Sequence, residues 1–256
     1  MLESIKKCGA VGGGSFFGYL GKPKLSAKTM TQPPVASTLE RLAGGYQLKI
    51  HLLGISPQIS RRVLVRGDTT LAELHHIFQV AMGWENWHLH CFHLWGKDYG
   101  LSYAGGTWYA DDARRVHLGD FPWRVNDKFT YTYDFGDYWQ HQVRVEKVLP
   151  ATAVPTGPVC LSGRRACPPE EVGGPRGYDQ RTLDQFSWAY EAHDRLLAGE
   201  DIREDDVPTW FWTYRPEHFD KDQVNQKLAK LYQLKGNPDF LFSQGGYDYF
   251  FADLIS

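Results

Sequence analysis

The chain has 256 residues, 42% of them hydrophobic and 14% aromatic, which is enough to bury a sizeable core and excludes a disordered polymer. Its 28 Lys and Arg against 30 Asp and Glu leave a net charge of −2, so no global attraction to nucleic acid or anionic lipid is built in, and nucleic acid would have to be met through a local basic patch. Its apolar runs fall short of the roughly 20 residues a membrane span needs. The four scattered cysteines, Cys8, Cys91, Cys160 and Cys167, do not form a disulfide framework and point to the cytoplasm.

Residues 1–42 carry Gly12-Gly13-Gly14 and Pro33-Pro34 without sustained periodicity and read as a flexible N-terminal extension, with no signal-peptide core and with Met30 as an alternative start. From Tyr46, YQLKIHLLGI and ISRRVLVRG flank the turn-forming Ser56-Pro57 and predict a hairpin. Thr70 and Glu73 then form a capping box, and Leu71, Leu74, Ile77, Phe78 and Ala81 recur at helical spacing until Gly83. Hairpin then helix predicts an α+β fold with a β-grasp-like opening, a mixed or antiparallel sheet and helices packed on one side.

The stretch 84–95, WENWHLHCFHLW, holds three tryptophans, three histidines and a cysteine, and its second half alternates like a strand. KFTYTYDFGDYWQHQVRVEKVL alternates on both sides of Phe135-Gly136-Asp137 and predicts a second hairpin; the kinase-like string DFG has no glycine-rich nucleotide loop or catalytic loop to accompany it. Residues 150–180 are rich in Pro and Gly and read as a long ordered loop. TLDQFSWAYEAHDRLLAG and FDKDQVNQKLAKLYQL have helical period, the second opened by Asp220. The domain is taken as 43–235, and residues 236–256 as an aromatic C-terminal tail docked on it.

His88 and His90, two apart on a predicted strand, face one way, as metal ligands on a sheet require; they equally suit hydrogen-bonding histidines beside an aromatic core. Asp134, Asp137 and His141 surround the FGD turn and could converge there, with Trp139 and Tyr138 excluding water, although aspartates at turns commonly bond their own backbone. Cys160 and Cys167 could join His88 and His90 about a divalent metal, zinc by donor chemistry, or be plain buried thiols. Arg164, Arg165 and Arg176 form a cationic loop beside Glu170 and Glu171, suited to an anion contact or to an ion-pair network within the loop. GGPRG, with no P-loop lysine, reads as backbone shaping.

The blocks PQISRRVLV, TLAELHHIFQVAMGW, HLHCF, YDFGDYWQHQVRVEK, CLSGRRACPPEEVGGPRGY and PEHFDKDQVNQKL resemble, in order and spacing, the plasmid pRiA4b ORF-3-like family, which includes TnpR-like insertion-element passenger proteins. The resemblance runs from about Tyr46 to Leu231 and implies a compact α+β domain of plasmids and mobile elements with no established activity. Val172 stands where some members carry a further cysteine, which weighs against an all-cysteine metal site. The first functional expectation is therefore a binding or accessory protein, with the 160–178 loop folded over the face bearing His88, His90, Asp134, Asp137 and His141. The alternative is a metal-dependent hydrolase acting on phosphodiesters, with His88, His90, Asp137 and His141 as ligands or bases. A third is a protein partner met through an aromatic surface.

Overall fold

The computed structural model describes residues 36–102, 108–179, 194–195, 197–200 and 214–234. Most of the extension, most of the predicted helix at 182–199 and the aromatic tail lie outside the described residues. The elements in order are α1 (Thr38–Ala43), β1 (Gly45–Leu52), β2 (Ser60–Arg66), α2 (Leu71–Met82), β3 (His90–Leu94), β4 (Lys97–Gly100), β5 (Asp111–Asp112), β6 (Lys128–Tyr133), β7 (Trp139–Leu149), β8 (Val159–Arg164) and α3 (Lys221–Gln233).

The eight strands form one sheet in the order β5-β4-β3-β6-β7-β1-β2-β8, antiparallel except for the parallel β4–β5 pair, so the fold is α+β with a mixed sheet. The predicted hairpin-then-helix opening is present: β1 pairs β2 antiparallel and α2 follows. Thr70 caps α2 reciprocally with Glu73, and Gly83 ends it at φ 93°, a left-handed conformation that costs glycine nothing.

Strand alternation separates the two faces of the sheet. Leu48, Val63 and Val145 stand opposite one another across β1, β2 and β7, His141, Tyr131 and Phe92 do so across β7, β6 and β3, and all six are buried. On this face α2 contacts β2 and β4 and packs against α3, which crosses β8. The opposite face, with Lys49, Arg62, Arg144 and Thr130, is half-buried and polar. Period-2 burial on one face with two helices laid over it is the arrangement that the apolar pattern dictates.

Two segments differ from the sequence expectation. β8 lies within the 150–180 stretch read as loop; Cys160 faces inward and Leu161 outward, an alternation masked by the surrounding Pro and Gly. Its outer edge is sealed by α3: the Asn225 amide accepts from Cys160 N at 2.7 Å and donates to Cys160 O at 3.0 Å, replacing a neighbouring strand. The end of the extension forms α1, six residues with no buried side chain and therefore no apolar period to read. Its signal is the Ser37–Glu40 capping box. No helix among the described residues is long and apolar enough to cross a membrane.

Candidate functional site at the turn end of the sheet

The β6–β7 turn is built by Asp134. Its Oδ1 accepts from Gly136 N at 2.8 Å and Asp137 N at 3.3 Å, and its carbonyl accepts from Tyr138 N at 2.7 Å. Asp134 and Tyr138 adopt φ of 54° and 59°, left-handed conformations held in place by these bonds. The other carboxylate oxygen, Oδ2, lies 3.6 Å from His88 Nε2, and Glu171 Oε1 lies 2.7 Å from the same nitrogen. His88 precedes β3, and a quarter of its side chain is exposed (26%).

The loop after β8 is fastened to this end at several points. Trp84 Nε1 donates to Pro168 O at 2.9 Å, Glu85 N donates to Glu170 Oε2 at 2.7 Å, and the Tyr133 hydroxyl donates to Glu170 Oε1. Gly173 N donates to Asp137 Oδ2 at 3.0 Å. At Gly174, φ is 69° and an added Cβ would stand 2.2 Å from Asp137 O, so this position requires glycine. GGPRG is thus a seat for the turn. Burial raises the Glu170 carboxyl, while the bonds from Tyr133 and Glu85 work against that rise.

His90 and His141 do not join this site. His90 is buried and stacked on His75 of α2, with ring centroids 3.5 Å apart and planes 7° from parallel. Burial, with His76 nearby, pushes its imidazole down to about 3. His141 points into the core two residues beyond Trp139; it is edge-on to Trp84, its Nδ1 is 3.2 Å from Tyr131 O, and burial pushes it down to about 3. Trp139 is fully buried against Trp84. The expected convergence of His88, His90, Asp134, Asp137 and His141 therefore divides: His88 and both aspartates reach the turn end, whereas His90 and His141 belong to the core.

That core contains a polar network that sequence reasoning missed. His75 Nδ1 lies 2.7 Å from the Tyr131 hydroxyl and its Nε2 lies 2.6 Å from Asn86 Oδ1, while Gln79 Nε2 donates to the same hydroxyl at 2.9 Å. The available signal was His75 and Gln79, four apart on the helix among Leu71, Leu74 and Phe78, hence on the buried stripe.

The cysteines take a different place from the one proposed for them. Cys160 lies under α3, whose Asn225 holds its backbone, and burial raises both the Cys160 and the Cys167 thiol. Among the described residues no three His, Cys, Asp or Glu side chains are grouped so as to hold a metal ion. His88, His90, Cys160 and Cys167 are thus not assembled as a zinc site: His90 is committed to its stack, and burial favours the neutral form of both thiols. The arginines also diverge. Arg165 pairs with Glu217 at 2.8 Å and donates to Pro57 O, Arg164 offers its carbonyl to Arg61, and Arg176 is exposed. A separate cleft between α2 and α3, lined by His76, Ile77, Pro158, Leu231 and Tyr232, includes no residue of the turn end.

The family model described as plasmid pRiA4b ORF-3-like protein matches residues 44–223. An uncharacterized protein, y4hQ of Sinorhizobium fredii, is 38% identical over 159 residues, covering 61% of this chain and 80% of that protein. The crystal structure of a protein of unknown function, MM3350 from Methanosarcina mazei Go1, is similar with a TM-score of 0.55 and 34% identity, over 70% of this chain and 95% of that one. The family match runs from the start of β1 into the first turn of α3 and covers more than half of the chain, and the chain belongs to the plasmid pRiA4b ORF-3-like family.

Proposed function

We propose that this chain is a cytoplasmic binding or accessory protein that meets a protein partner at the turn end of its sheet. The supporting observation is how the carboxylates there are used. Asp134 shapes the turn, Asp137 holds Gly173, and Glu171 holds His88, so these groups order a surface rather than converge on a reacting atom. Next to them in sequence, Trp87 is 44% and Tyr138 43% exposed. Exposed aromatics beside a rigid polar frame are characteristic of partner-contact surfaces.

The phosphodiesterase reading needs His90 and His141 at the surface with Asp137, and both are enclosed in the core. Asp137→Ala separates the two readings. It removes the acceptor for Gly173 N, and limited proteolysis within 165–175 is expected to quicken several-fold while the fold persists. Hydrolysis of bis-4-nitrophenyl phosphate with added zinc is expected to stay at the buffer rate for both proteins. Zinc-dependent turnover by the wild type that Asp137→Ala abolishes would overturn the binding reading.

A further inference from the structure

The face of the sheet opposite α2 and α3 carries an arrangement that β-sheets ordinarily avoid. Register places Arg62 of β2 opposite Lys49 of β1, Lys49 opposite Arg144 of β7, and Arg144 opposite Lys128 of β6. Four cations thus stand in one cross-strand row over four adjacent strands. Strands lie about 4.8 Å apart, so the row spans about 14 Å. Like charges directly opposite one another destabilise a sheet.

Local neutralisation is incomplete. Glu146 takes Arg62 at 2.8 Å and Arg144 at 3.3 Å, and Gln47 donates to the same carboxylate at 2.8 Å. Arg62 also reaches Ser162 on β8 at 3.5 Å. One carboxylate therefore serves two of the four cations. The field is felt by His51 on the same face, whose imidazole is lowered by burial and then by Lys49, Arg144 and Lys128. All four cationic residues are half-buried or exposed, so the row is open to a ligand. With the whole chain at −2, this is a local patch and not a reflection of composition.

We propose that this row is a binding site for the phosphodiester backbone of duplex nucleic acid, a function beyond the partner surface at the turn end. Its chemistry selects the ligand. Two guanidiniums and two ammoniums in a straight line match a linear array of phosphates. The row itself contains no aromatic side chain on which bases could stack, so recognition is of backbone and not of sequence. Glu146 offsets about one charge, so roughly three phosphates are neutralised, and the expected slope of log K against log salt is about −2 to −3.

Fluorescence anisotropy of a labelled 20-base-pair DNA duplex, titrated with the full chain at several salt concentrations, tests this. Lys49→Gln and Lys128→Gln, whose ammoniums are not part of the Glu146 cluster, are each expected to weaken binding several-fold and to reduce the slope by about one. Glu146→Gln removes the counter-charge and is expected to tighten binding several-fold, a gain that misfolding does not mimic. Lys221→Gln on α3 serves as a control with unchanged affinity. The proposal is overturned if the wild type shows no salt-dependent binding, if Lys49→Gln and Lys128→Gln bind as wild type, or if phosphatidylserine vesicles but not the duplex are bound.

Discussion

Lowering the pH from 8 to about 5 is expected to unfold the domain, because four buried imidazoles are held neutral. Burial lowers His76 to about 4 and His90 and His141 to about 3, and lowers His75 well below its ordinary value. In the unfolded chain each returns to about 6.5. Between the folded and unfolded values the unfolded state binds more protons, so this stability is complete above about 6.5 and is lost as the pH falls toward the folded values. Well below 6.5 the difference approaches four protons, about 5 kcal/mol per pH unit, against a total stability on the order of 5–15 kcal/mol. Glu170, whose carboxyl is raised by burial, opposes this by at most one proton, since a raised carboxyl adds stability in acid and loses it as pH rises. Urea midpoints at pH 8, 6 and 5 measure the slope. His141→Gln is expected to reduce it by about one proton, and midpoints flat down to pH 5 would refute the buried neutral histidines.

Arg61→Ala is expected to be the most damaging single substitution on β2. Arg61 is 2% exposed, and its guanidinium donates to Ala81 O at 2.7 Å and to Ser60 O and Arg164 O at 2.9 Å. The Phe219 ring covers it at 4.3 Å and itself rests on Gly163, where a Cβ would meet the ring at 2.5 Å. One side chain thereby ties the end of α2, the β2–β8 edge and the segment before α3. Removing it leaves three carbonyls without their donor and opens a void, at a cost of about 3–5 kcal/mol. Arg61→Lys is not expected to rescue this, because a compact ammonium cannot reproduce the planar fork or its contact with the ring. A urea midpoint within about 1 kcal/mol of wild type for Arg61→Ala would show that the tie is dispensable.

The elements legible in the sequence were those whose signal is local. Thr70, Glu73 and Gly83 mark α2 through caps, and the alternation on either side of Phe135-Gly136-Asp137 marks the β6–β7 hairpin. β8 was not legible, since its place depends on pairing with β2 and on an amide from α3, about 65 residues away. The site was legible in part. Asp134 and Asp137 are turn residues by type, and the loop carrying Glu171 meets His88 as its length and rigidity suggested. The parity of a strand, however, says which residues share a face and not whether that face is solvent or core. His88, outside β3, lies at the surface, whereas His90 and His141 lie beneath α2 or against Trp84. The cationic row was equally hidden, because Lys49, Arg62, Lys128 and Arg144 become neighbours only through register.

The separation of surface His88 from the core histidines His90 and His141 underlies the functional reading, and imidazole carbon-proton NMR tests it most directly. With each histidine assigned by single substitution, the His90 and His141 resonances are expected to stay at neutral-imidazole positions from pH 8 to 5.5 and not to shift on adding zinc. Titration of either ring within that range, or a zinc-induced shift at His90 together with His88, would contradict it and restore the metal site that the described geometry does not assemble.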